Sequence, residues 1–166
     1  MRRIRIEKLV ANIGVGEAGE RLMKAAQVLE MLTKRKPIQT ISRTHNKDLG
    51  LRKGMPIGVK VTLRGKEAEE FFKQAMWVRQ NQLAGYSFDH EGNCSFGITD
   101  YTDFPDMKYD PGIGIFGLSV SVVFSRPGKR VQLRRRSRQN IPRRHRTDTP
   151  EIKRFLREEY KIEVIE

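Results

Sequence analysis

The sequence predicts an α+β fold: a single domain over residues 1–166, with a mostly antiparallel sheet, helices on one face and an Arg-rich C-terminal extension at 126–146. Three observations predict it. The strand-like stretches alternate apolar and polar residues, as in a sheet with one covered and one open face, rather than forming the continuous apolar runs of a parallel sheet. Helical periodicity appears in a few segments with no repeating strand–helix series between them. A chain of 166 residues is also the size of one domain, able to withdraw roughly 70% of its unfolded surface from water.

In chain order, Lys8–Ile13 alternates, with Leu9, Ala11 and Ile13 on one face and Lys8, Val10 and Asn12 on the other, and predicts a strand. Residues 18–35 carry Leu22, Ala25, Ala26, Leu29 and Leu32 at helical spacing. "KPIQTIS" predicts a short strand entered through Pro37. A polar, basic loop from Ser42 to Gly54 leads into "MPIGVKVTLRG", where Ile57, Val59, Val61 and Leu63 alternate with Gly58, Lys60, Thr62 and Arg64. Residues 66–82 predict an amphipathic helix with Ala68, Phe71, Phe72, Ala75 and Met76 inward. Past Gly85, Cys94, Phe96 and Ile98 alternate with Asn93, Ser95, Gly97 and Thr99. A longer strand through "IGIFGLSVSVVF" turns Phe116, Leu118, Val120, Val122 and Phe124 inward and Ser119 and Ser121 outward. Thr149 as a cap, with Pro150 at the first helical position, opens a helix to about Tyr160, and "KIEVI" predicts a last strand.

Lys plus Arg outnumber Asp plus Glu 33 to 20, a net charge of +13, which points to nucleic acid or an anionic membrane as partner. No stretch approaches the roughly 18 apolar residues of a spanning helix, and Glu7, Lys8 and Asn12 interrupt any signal-peptide core. One cysteine excludes an internal disulfide and argues against structural zinc. A soluble intracellular protein with no membrane partner is expected. The charge is unevenly spread. Residues 1–64 hold 15 basic and 5 acidic side chains, and residues 126–146 hold 10 basic and none acidic. The remaining stretches, 65–99, 100–125 and 147–166, are each mildly acidic. Two separate footprints on a polyanion are implied.

Gly14, Gly16 and Gly19 spell G-x-G-x-x-G between a strand and a helix, the layout of a dinucleotide-binding turn. Three features oppose that reading. The strand before it exposes Lys8 and Asn12, the second strand ends in the basic "TISRTHNK" where an acidic ribose ligand is needed, and no βαβ series follows. A tight strand-to-helix turn accounts for the glycines, and no cofactor is expected. Asp100, Asp103, Asp106 and Asp110 could suggest a metal-dependent nuclease, but their spacing fits no calcium loop, and Pro105 and Pro111 mark an ordinary surface loop. His45, His90 and His145 lie far apart in sequence. Cys94 sits on an apolar strand face as a small hydrophobe. Trp77 and the Phe71/Phe72 pair lie in a helix and read as core rather than a stacking platform. No catalytic or metal-binding residue is assigned.

Lys60, Thr62 and Arg64 share one face of their strand, roughly 7 Å apart, and Asn12 can join them from the first strand. Cations, a hydroxyl and an amide on a rigid surface suit phosphate and ribose, whose 2′-OH both donates and accepts. No row of exposed aromatics accompanies them, so recognition of a folded RNA by shape fits better than stacking on splayed bases. RNA binding leads over DNA binding. The rivals are an RNA-processing enzyme using the Asp100–Asp110 loop, which would turn over RNA with metal, and a DNA regulator, which lacks a helix-turn-helix.

"VANIGVGEAG", "PIQTISRTHNKDLGLRKGMPIGVKVTLRG", "FDHEGNCSFGI" and "DMKYDPGIGIFGLSVSVVFSRPGKR" occur in the order and spacing of the large-subunit ribosomal protein five family, which the chain resembles over nearly its whole length. The form is similar to the archaeal and eukaryotic branch after Tyr109, without the longer eukaryotic N-terminal arm, and it departs from the bacterial pattern in having "DLG", with Leu49, before "LRKGMP". The resemblance implies a non-enzymatic, cytoplasmic ribosomal protein that binds 5S rRNA in the central protuberance. It also implies an approach to P-site tRNA and to a protein of the small-subunit head. By position, the 5S-binding face falls on Asn12, Lys60, Thr62 and Arg64, and the tRNA-facing loop on Arg43–Lys53, with Arg43, His45, Lys47, Arg52 and Lys53. The Arg-rich segment, through Arg134, Arg135, Arg136, Arg138, Arg143, Arg144 and Arg146, is expected to make a second RNA contact, with large-subunit rRNA or a neighbour. Its start, "SRPGKR", should stay anchored and the remainder should be mobile until phosphates supply counter-charge.

Overall fold

The alternation near the start of the chain becomes strand β1, Arg5–Gly14, in the computed structural model, which describes residues 1–105 and 107–165. Ile6, Leu9, Ala11 and Ile13 are buried, and Lys8, Val10 and Asn12 stay partly open. Ile6 and Leu9 are three residues apart, so the inward set changes parity between them. That break explains why the alternation alone starts the strand at Lys8, three residues late.

Then follow α1 (Glu20–Thr33), β2 (Ile38–Ile41), β3 (Pro56–Leu63), α2 (Lys66–Val78), β4 (Gln82–Ala84), β5 (Cys94–Ile98) and β6 (Leu118–Ser125). A short α3 (Arg130–Leu133), α4 (Thr149–Tyr160) and β7 (Glu163–Ile165) complete the order. Five strands form a mostly antiparallel sheet in the order β2-β3-β1-β6-β5, and β4 pairs with β7 in a small parallel sheet. The class is α+β. Chain contacts divide into two compact units interleaved along the sequence. The first is Met1–Leu9, Leu63–Phe96 and Ser121–Glu166; the second is Val10–Thr62 and Gly97–Val120.

In the first unit, α2 buries Ala68, Phe71, Phe72, Ala75 and Met76. Phe72 meets Phe124 of β6 edge-on at 6.3 Å, and Phe155 of α4 reaches the Phe124 ring at 6.1 Å. Tyr160 closes the cluster against Phe72 at 5.1 Å. Trp77, expected in the core, is 62% exposed. At 100° per residue it lies on the opposite side of α2 from the buried stripe. The helix ends at Val78, not residue 82, because Gln80 and Asn81 take left-handed φ values of 55° and 57° and the chain turns into β4. In α4 the cap is Asp148 rather than Thr149, whose hydroxyl instead donates to the Asp89 carbonyl at 2.8 Å.

In the second unit, α1 buries Leu22, Ala25, Val28 and Leu29. The stretch "IGIF", expected to open β6, is instead a turn and its exit, with the amides of Ile113 and Gly114 both donating to the Asp110 carbonyl at 3.0 Å. Phe116 is buried even so.

Candidate nucleic-acid interface

The glycine turn after β1 bonds to its own chain. Gly16 and Gly19 have φ of 80° and 125°, a region that side chains with a Cβ avoid. The amides of Val15 and Gly16 donate to the Ile57 carbonyl at 3.0 and 2.8 Å. A pyrophosphate turn needs such amides aimed at the ligand. Here they tie the end of β1 to β3.

Across the second unit's strands, Lys60 and Thr62 are exposed while Val59 and Val61 beside them are buried. β1 lies next to β3 and presents half-buried Asn12; β6 lies on its other side, where exposed Ser119 donates to the Asn12 carbonyl at 3.3 Å. Antiparallel pairing sets Ile38, 67% exposed, opposite Lys60. Gly58 allows close approach, since a Cβ there would sit 2.8 Å from the Ile13 carbonyl oxygen and 2.9 Å from Thr40 Oγ1. The result is a hydroxyl-and-amide surface with one cation, on backbone pinned by burial of alternate side chains. The outward alternation of Ser119 is legible in the sequence. Its neighbour is not, because strand order leaves no trace in periodicity. Arg64 is exposed but lies one residue past β3 and belongs to the first unit, so the structure groups Asn12, Lys60 and Thr62 and leaves Arg64 outside that unit.

The connection from β2 to β3 folds back on itself. The Ser42 amide donates to the Met55 carbonyl at 2.8 Å, that of Gly54 to the Ser42 carbonyl at 2.9 Å, and Asn46 and Leu51 exchange bonds of 3.0 and 2.9 Å. The Asn46 side chain accepts from the Asp48 amide at 3.0 Å. Arg43, His45, Lys47, Arg52 and Lys53 are all exposed on this hairpin, and Leu49 near its tip is 68% exposed.

The Arg-rich segment is an internal loop between β6 and α4 rather than a free extension, and its ends are tied to each other. Arg126, only 12% exposed, ion-pairs with Glu151 of α4 and donates to the Arg144 carbonyl at 3.2 Å. His145 Nε2 contacts the Pro127 carbonyl at 3.0 Å, and Thr147 Oγ1 donates to the Glu91 carbonyl at 2.9 Å. Lys129 lies 3.5 Å from Glu7. Between the tied ends, Arg134, Arg135, Arg136, Arg138, Arg143 and Arg144 are exposed, as is Arg146.

The acidic loop is occupied with its own turns. Asp100 Oδ1 accepts from the Thr102 amide at 2.9 Å and Asp110 Oδ1 from the Gly112 amide at 2.8 Å; Asp106 lies outside the described residues. Among the described residues no three His, Cys, Asp or Glu side chains assemble a metal site. Cys94 is buried, and burial, then the nearby Asp89 carboxylate, pushes its thiol up to about 12. A thiol in that state is no nucleophile.

Two family profiles match the chain: one described as Ribosomal protein L5 over residues 1–52, and one described as the C-terminus of the same ribosomal family over residues 56–157. The large ribosomal subunit protein uL5 of Sulfurisphaera tokodaii is 49% identical over 167 residues, covering 100% of this chain and 94% of that relative. The uL5 of Thermoplasma acidophilum is 49% identical over 166 residues, covering 99% and 98%. That of Methanoregula boonei is 43% identical over 164 residues, covering 99% of both. Family models over both halves and relatives of this identity along the full length establish the chain as a member of the uL5 family, a structural, non-enzymatic constituent of the large subunit of the cytoplasmic ribosome.

Proposed function

We propose that the chain binds 5S rRNA in the central protuberance through the open face built by Asn12, Lys60 and Thr62. The observation that carries this reading is the composition of that face: one cation among hydroxyl and amide groups, on strands whose alternate residues are buried. Such groups bond ribose and phosphate directionally, and they favour an RNA of one shape over polyanions in general. The β2–β3 hairpin, with Arg43, His45, Lys47, Arg52 and Lys53, reaches toward P-site tRNA and a small-subunit head protein. Arg134, Arg135, Arg136, Arg138, Arg143, Arg144 and Arg146 make a second contact, with large-subunit rRNA or a neighbour. The test is a gel-shift comparison of 5S rRNA, tRNA and duplex DNA at physiological salt. A preference for 5S rRNA that Lys60→Ala with Thr62→Val abolishes is the expected result. Equal binding of all three nucleic acids would remove the reading.

A further inference from the structure

A groove of about 630 Å³ in the first unit gathers cations from three distant stretches of chain: Arg5 of β1, Arg64 and Lys66 at the β3–α2 junction, and Arg126, Lys129 and Arg130 after β6. Its two carboxylates are Glu7 and Glu69. Glu7 is engaged with Lys129, and Arg126 is held by Glu151. Arg5, Arg64, Lys66 and Arg130 are exposed, and among the described residues none of the four has a carboxylate within ion-pairing distance. Helix α2 starts in the groove wall after Gly65, with Glu67 and Glu69 in its first turn against its positive end, so the groove's positive field comes from the side-chain cations.

We propose that this groove seats a run of RNA sugar–phosphate backbone, separate from the sheet face and continuous with the Arg-rich loop. The inference rests on the RNA-binding reading above and extends it to a second surface. Four of the six cations are arginines, whose planar forks match phosphate oxygens two at a time. Arg126, Lys129 and Arg130 are also the first three of the ten cations in residues 126–146, a stretch with no acid. A backbone leaving the groove therefore continues along further cations, which a short acidic peptide has no length to use. The groove also gives Arg64 a partner chemistry, and it recruits Arg5 and Lys66, which lie some sixty residues apart and form no motif.

Two measurements on the full chain test it. Arg5→Gln, Lys66→Gln and Arg130→Gln together should lower the slope of log binding constant against log salt for 5S rRNA and for total large-subunit rRNA. The expected fall is roughly 2 to 2.7, at 0.7–0.9 per lost phosphate contact. All three side chains are exposed, so the melting temperature should hold. Separately, Lys66→Cys carrying a tethered iron chelate should cleave the RNA backbone nearby; Cys94 is buried and stays unlabelled. An unchanged slope in the folded triple variant, or no cleavage from position 66, overturns the proposal. So does poly-glutamate competing for the groove as well as RNA, which would make an acidic protein segment its occupant. A wild-type chain that binds tRNA and 5S rRNA alike, with the triple variant still losing slope, would sink the 5S assignment and leave the groove standing.

Discussion

In the second unit, Lys60 lies among Thr62, Asn12 and Ser119, each carried by a strand whose neighbouring residues, Val59, Val61 and Ala11 among them, are buried. Between Arg126 and Arg146, ten cations occur without one acid; the ends of the loop are tied to each other, and the bonds inside it, such as the Gln139 amide to the Val131 carbonyl at 3.3 Å, are local. The first region has few charges at fixed positions, and the second has many charges on a loop with little core of its own. Directional hydrogen bonds need the fixed positions, whereas release of counterions needs only the number of charges. On the proposed reading, then, shape discrimination belongs to the strands and salt-dependent affinity to the loop.

The largest expected effect breaks the loop side of this comparison. Replacing Arg134, Arg135, Arg136 and Arg138 with Gln should flatten the salt slope of RNA binding by up to about 2.8–3.6, roughly three decades of affinity over a tenfold change in salt. The ratio of 5S rRNA to tRNA binding should persist. Loss of that ratio with the slope intact would reverse the two roles. Next, Lys60→Ala with Thr62→Val should weaken 5S rRNA binding by about 2–4 kcal/mol as charge-assisted and neutral hydrogen bonds are lost. Its salt slope should fall by no more than the roughly 0.7–0.9 of one lost phosphate contact, and its melting temperature should hold, since both side chains are exposed.

Gly58→Ala sharpens the claim that the strands must be rigid. The new methyl would meet the Ile13 carbonyl at 2.8 Å and Thr40 Oγ1 at 2.9 Å. About 1–3 kcal/mol of destabilisation is expected in chemical denaturation. Wild-type stability in that variant would mean the close approach of β3 carries no constraint.

Cys94 offers a smaller, pH-dependent effect. The folded chain keeps the thiol proton up to about 12, against 9.0 for an ordinary thiol. The group's contribution is therefore fully present below pH 9 and is lost as pH rises toward 12, on the order of 1 kcal/mol by pH 10. Denaturation midpoints for wild type and Cys94→Ala should converge over that range. No effect at all is expected from millimolar NAD on the melting temperature, where a ligand at 100 times its Kd would add about 2.7 kcal/mol. A saturable shift would restore the glycine turn as a binding site.

Alternation and helical spacing locate β1, β3, β5, β6, α1 and α2, because burial of one face imposes a period that a reader can see, and the Thr149-Pro150 start signal locates α4. β4 leaves no such mark: only Leu83 of its three residues is buried, and its partner β7 comes some eighty residues later. Hydrophobicity alone misplaces Trp77, whereas the 100° step per residue from Phe72 and Met76 already sets it on the side of α2 away from the buried stripe.

The amino-acid sequence by itself determined the class of fold, the family and the two concentrations of positive charge, since each is written in short-range pattern or composition. Tertiary structure alone decided which polar groups share a surface. It put Ser119 beside Asn12 across a strand boundary, and gathered Arg64 with Arg5, Lys66 and Arg130. It also tied Arg126 to Arg144 and Glu151, turning an apparent extension into a closed loop. These are juxtapositions of residues tens of positions apart, and periodicity carries no information about them. They follow from strand order and helix packing, which the chain settles only when its apolar faces are buried together.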